Sequence, residues 1–150
     1  FLFPFLMLTS HIFRAYDIRG LAHQDFDAAG AEQIGYSYTE YLKKRDGLTN
    51  PKLVIGRDGR LSSEEMQQAC ISGMQKAGAE VTDIGLSTSP LLFFSICYGD
   101  FDGGINITAS HNPREYNGFK LQGRDSHAIC GEEIQKIWQH CQSNPVFDTG

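Results

Sequence analysis

From about residue 25 onward, short apolar runs bounded by glycine alternate with longer stretches whose apolar residues recur at helical spacing. That alternation admits few folds, because strands and helices taken in turn build a layered α/β structure with a mostly parallel sheet. Asp27 to Arg45 carries Ile34, Tyr38, Tyr41 and Leu42 on one helical stripe. Leu53 to Ile55 reads as a strand feeding the glycine-bounded loop GRDGR. Ser62 with Glu65 predicts a capping box, and Met66, Cys70, Gly73, Met74 and Ala77 follow at helical spacing until Gly78. Glu80 to Leu86 predicts a second strand, Ser89 to Tyr98 a helix with Pro90 in its first turn, and Gly104 to Ala109 a third strand. Gly118 to Gln122 is a fourth strand, joined to the third by a loop short enough to make the pair antiparallel. Glu132 to Cys141 is a last helix. The expected fold is three-layer α/β/α, with a mixed, mostly parallel four-stranded sheet whose last strand is antiparallel. Ligands of such sheets gather beyond the carboxyl ends of the strands, where the loops GRDGR and ASHNP both fall.

Composition narrows the partners. A chain of 150 residues with 41% hydrophobic and 21% charged content suits one globular domain. The net charge of −5 and the absence of any Lys/Arg block argue against a nucleic-acid surface. Arg14, Arg19, Arg57, Arg60, Arg114 and Lys120 instead stand singly, mostly in or beside loops, an arrangement suited to a small anionic ligand. Four cysteines without a CxxC pair read as free thiols of a cytoplasmic protein. A zinc site from His127, Cys130, His140 and Cys141 is disfavoured, because His140 and Cys141 are neighbours on a helix and point different ways. The opening FLFPFLML lacks a basic leading region and is too short to span a bilayer, so no membrane partner is expected. Met7 is a candidate start, and residues 1–11 are read as an extension, 12–143 as the domain and 144–150 as the start of a linker.

The segment GINITASHNPREYNGFK, Gly104 to Lys120, carries the chemistry. Its β-branched run predicts a buried strand, and the Asn112-Pro113 step forces the chain to turn just after Ser110 and His111. A serine there could be a hydrolase nucleophile or a carrier of a phosphoryl group. Neighbours in extended chain point to opposite sides, which leaves His111 badly placed to take the Ser110 proton, and no GxSxG elbow is present. A phosphoserine would need nearby cations, which Arg19 and Lys120 could supply, but no carboxylate cluster is spaced as a Mg²⁺ cage.

Taken together, FRAYDIRG, GRDGRLSS and GINITASHNPREYNGFK, in this order and spacing, resemble the N-terminal domain of bacterial phosphomannomutase/phosphoglucomutase enzymes of the α-D-phosphohexomutase superfamily. The resemblance covers nearly everything from Ile12 onward. It implies that Ser110 is phosphorylated in the active enzyme and that its phosphate is one ligand of Mg²⁺. His111 would be the neighbouring active-site histidine, with a structural role in the loop as the competing reading. Lys120 and Arg19 would support the transferred group, Arg19 and Tyr16 would meet substrate, and Arg60 of the GRDGR loop would reach it too, with organising that loop as its competing role. Asn112 and Asn117 would shape the loop.

The implied reaction interconverts hexose 1-phosphate and hexose 6-phosphate, of mannose or glucose, through a bisphosphorylated sugar that also serves as activator. Members of the superfamily have four domains. The DGDGDR-type metal loop and the later sugar and phosphate loops are not in this sequence, so domains 2–4 are expected partners and this chain alone is expected to turn over little. A non-catalytic sugar-phosphate-binding or partner-binding homologue is the alternative. Surfaces that the other domains would cover are expected to leave an exposed apolar patch.

Overall fold

Asp27 leaves extended backbone and accepts a hydrogen bond from the Gly30 N–H at 2.9 Å. This satisfies one of the orphan donors of the first turn, and helix α1 runs from there over Ala28–Asp46. It stops at Gly47, whose φ of 68° is left-handed backbone. A computed structural model describes residues 8–143, so Met7 and the start of the expected linker lie outside the described residues. The strands are β1 (Ile18–Leu21), β2 (Lys52–Arg57), β3 (Glu80–Leu86), β4 (Gly103–Ile107) and β5 (Tyr116–Gly123). The remaining helices are α2 (Ser63–Lys76), α3 (Ser89–Tyr98) and α4 (Glu132–Ser143).

The strands form one sheet in the order β1-β5-β4-β2-β3. β2 pairs in parallel with β3 and β4, while β5 runs antiparallel to both β4 and β1. The sheet is therefore mixed, as expected, but it has five strands where the sequence predicts four. The additional strand is β1, inside FRAYDIRG. Its residues IRGL place Ile18 against Phe119 and Arg19 against Gly118. With an arginine and a glycine among four residues, it shows no apolar alternation from which a strand could be read.

Helices α1, α2 and α4 cover one face. Ile34, Leu42, Met66, Met74, Ile134 and Ile137 meet Leu53, Ile55, Ile105, Ile107, Phe119 and Leu121 of the sheet there, all essentially inaccessible. Each such side chain contributes about 1.5–3 kcal/mol by leaving water. α1 and α2 approach closely because Gly35 and Gly73 lie at their contact. A Cβ on Gly73 would strike the Glu32 carbonyl, and one on Gly35 the Cys70 carbonyl. On the opposite face α3 sets Leu92 and Ile96 on Val54 and leaves Leu91, Phe94 and Tyr98 exposed. This makes three layers.

The capping box does not form. Ser62 precedes α2 with helical backbone angles and caps nothing with its side chain. Its hydroxyl accepts instead from Asn117 Nδ2 at 2.8 Å, and Glu65 pairs with His23 at 3.5 Å. Among the described residues no helix is long and apolar enough to cross a membrane.

Candidate active site

β4 ends at Ile107, and the chain reverses almost at once. The Asn112 N–H donates to the Ala109 carbonyl at 3.0 Å, closing a turn with Ser110 at its second position. Pro113 promotes this by denying helical backbone to Asn112. Ser110 has a φ of 56°, in the left-handed region that costs a non-glycine residue about 1–2 kcal/mol. It is held by Thr108, whose Oγ1 accepts from the Ser110 N–H at 3.0 Å, a local side-chain turn of the kind serine and threonine favour. The Ser110 hydroxyl is exposed.

This conformation alters the expected relation to His111. Because Ser110 is not extended, His111 Nδ1 comes within 3.4 Å of its Oγ instead of pointing away. That is longer than a working hydrogen bond. No carboxylate among the described residues orients the imidazole from its other side, so a hydrolase triad is not assembled.

The loop after β2 lies against this turn. The Asp58 N–H donates to the Ile107 carbonyl at 2.9 Å. Its carboxylate accepts from Ser63 Oγ at 2.5 Å and from the Arg60 N–H at 3.1 Å, with the Thr108 hydroxyl close by. Burial works to raise its pKa, but these bonds outweigh it and hold the carboxyl below its ordinary range. Arg60 faces the turn and donates to its carbonyls. Asn117 is wholly buried and joins β5 to the head of α2 through Ser62 and Ser63. An open cleft of about 660 Å³ runs beside these residues, lined by Asp58, Arg60, Leu61, Asn112, Arg114 and Glu115.

β1 brings the remaining candidates. Arg19 donates from Nη1 to Asn112 Oδ1 at 2.6 Å and from Nη2 to Asp17. Asp17 thus pairs with Arg19, while Arg14 meets it only through the backbone, N–H to carbonyl at 2.9 Å. Arg19 Nε is buried without a partner among the described residues. In the ladder Arg19 stands opposite Gly118 and Lys120 opposite Asn106, so strand alternation puts both cations on one face. The Lys120 ammonium makes no hydrogen bond or ion pair among the described residues. Tyr16, 83% exposed, sits at the tip of the turn leading into β1.

Residues 10–146 match the domain described as phosphoglucomutase/phosphomannomutase, alpha/beta/alpha domain I. The chain belongs to the phosphoglucomutase/phosphomannomutase family. A phosphomannomutase from Vibrio cholerae is 39% identical over 137 residues, which is 91% of this chain and 29% of that protein. One from Klebsiella pneumoniae is 40% identical over 138 residues and is covered to 84% of its length. A solved phosphoglucomutase/phosphomannomutase family protein from Burkholderia thailandensis superposes with a TM-score of 0.82 at 34% identity, over 91% of this chain and 31% of that one. The chain thus spans about three-tenths of several of its relatives.

In this phosphoglucomutase/phosphomannomutase domain, hydrogen bonds bring Ser110, Asn112, Arg19 and Arg60 together, with His111 beside Ser110 and Lys120 on the adjoining strand. Thr108 is a site residue that reading the sequence missed. Its place two residues before Ser110 is the signal that could have found it. Among the described residues no group of three or more His, Cys, Asp or Glu side chains is placed to hold a metal ion. The carboxylates bordering the turn, Asp17 and Asp58, are bonded to Arg19 and Arg60. These donors do not make a Mg²⁺ shell.

Proposed function

We propose that this chain is the phosphoryl-carrying domain of a longer cytoplasmic mutase that interconverts hexose 1-phosphate and hexose 6-phosphate of mannose or glucose. The observation that carries the reading is Ser110: an exposed hydroxyl on a left-handed turn, beside a cationic face where Lys120 and Arg19 Nε have no partner. A phosphoryl group on Ser110 brings about −1.5 to −2 charge and three acceptor oxygens. Unspent donors on a rigid sheet face suit it, because they need no reorganisation when charge arrives.

In the forward step the bond between phosphorus and Ser110 Oγ breaks while a hydroxyl oxygen of the sugar phosphate bonds to phosphorus. The sugar hydroxyl gives up its proton and the departing Ser110 Oγ takes one up, so a bisphosphorylated sugar and a free serine hydroxyl form with no net gain or loss of protons. After the sugar reorients, Ser110 Oγ accepts its other phosphoryl group. The chain's own part is to hold the group, to neutralise it through Lys120 and Arg19, and to admit the sugar past Tyr16. Mg²⁺ would meet the Ser110 phosphate and take its remaining ligands from outside this chain. A hexose 1,6-bisphosphate would load the serine at the start. Four free cysteines accord with a reducing compartment.

The test is an assay of the longer protein with mannose 1-phosphate and glucose 1-phosphate, activator and Mg²⁺, against its Ser110→Ala variant. Interconversion that falls to background in the variant is expected. Turnover that survives the substitution would refute the role given to Ser110.

A further inference from the structure

Arg60 faces Ser110, yet it has nothing left with which to bind a substrate. Its Nε donates to Asp58 Oδ2 at 3.0 Å. Nη1 donates to the carbonyls of Pro113 at 2.7 Å and Tyr116 at 3.2 Å, and Nη2 to those of Ser110 at 3.0 Å and Asn112 at 2.8 Å. A guanidinium has five N–H donors in a fixed plane, and all are taken up within the chain. Four carbonyls of one short segment converge on this cation, and without it their dipoles would face one another. The Asp58 carboxylate that orients Arg60 also faces the Thr108 hydroxyl, whose oxygen accepts from the Ser110 N–H at 3.0 Å. Both polar groups of the Ser110 backbone are thereby set from the loop after β2.

We infer that Arg60 is a positioning residue for Ser110: its guanidinium, seated on Asp58, holds the Ser110–Tyr116 segment in the one shape that keeps the hydroxyl outward. This rests on Ser110 being the phosphoryl carrier. It departs from a substrate-binding role for Arg60, which the resemblance alone implies, because the geometry leaves no donor for a ligand. Lysine could not replace it, since three donors on a point charge do not reach four carbonyls spread in a plane.

Two measurements on the longer protein test this. In Arg60→Ala, kcat should fall about 10²-fold through misplacement of the reacting oxygen, with KM nearly unchanged. Arg60→Lys should recover only part of the loss. In hydrogen exchange, the Asn112 and Tyr116 amides, bonded to the Ala109 and Pro113 carbonyls, should exchange about tenfold faster in both variants while β4 and the rest of β5 keep their protection. A rise in KM with kcat and turn exchange unchanged would overturn the inference in favour of a substrate ligand. Full kcat and unaltered exchange in Arg60→Lys would also overturn it, and that variant decides the matter if Arg60→Ala fails to fold. If wild-type protein proves not to be a mutase, the carrier reading fails, while faster turn exchange would still establish the clasp.

Discussion

At a φ of 56° Ser110 occupies backbone that glycine, asparagine and aspartate favour, and it stays there because its N–H, its carbonyl and the turn after it are all bonded. Ser110→Gly should relieve the strain that Ser110→Ala retains. Both variants lose the hydroxyl, but the glycine variant should be more stable than the alanine variant by about 1 kcal/mol in chemical denaturation. Asp58 supplies a pH signature. Its folded pKa lies below the ordinary carboxylate value, so its ionised form belongs to the folded state. The stability it contributes is full above the unfolded carboxylate value and is lost as pH falls through the folded one. Asp58→Asn should flatten the acid limb of the stability–pH curve and cost about 1–3 kcal/mol at neutral pH. Ser110 was legible at this scale because an apolar run followed by Asn-Pro leaves few shapes for the chain. The approach of His111 was not, because left-handed backbone at a serine reverses the alternation that an extended segment would have.

Elements were legible where local chemistry decides them. The helical stripe of α1 and the bounds of β3 and α3 follow from residues within the elements themselves. β1 is decided from outside. It is a strand because β5 offers it a ladder and because Gly118 lets the two backbones close. A Cβ at Gly118 would press on the Ile18 carbonyl, with the Thr108 carbonyl also close at 3.2 Å. Gly118→Ala should therefore destabilise the fold by about 1–3 kcal/mol, the usual cost of overpacking, and should broaden the NMR signals of Arg19 and Asn112. Unchanged stability would mean that β1 pairs more loosely than its register indicates. The Ser62/Glu65 pattern failed for a related reason, since buried Asn117 claims the Ser62 hydroxyl from across the sheet.

For the molecule as a whole, one sheet edge gathers a serine, a clasp, the Lys120 ammonium and the unpartnered Nε of Arg19, but its carboxylates are already bonded to arginines. On the proposed function the site holds a phosphoryl group, while its own carboxylates do not complete a Mg²⁺ shell. The chain by itself should bind inorganic phosphate weakly and interconvert hexose phosphates at background rate, and robust turnover by it would contradict this division of labour. Layers and strand directions were legible from the order of patterns, because each strand and helix buries one face locally. The clasp of Arg60 on the serine turn joins positions some fifty residues apart, which no local spacing encodes. The most direct measurement is to load the longer protein with hexose 1,6-bisphosphate, locate the phosphoryl group by peptide mass spectrometry, and chase it with hexose monophosphate. The group should reside on Ser110 and pass to the sugar within a single turnover. A phosphoryl group on another residue, or interconversion while Ser110 remains unmodified, would contradict the account.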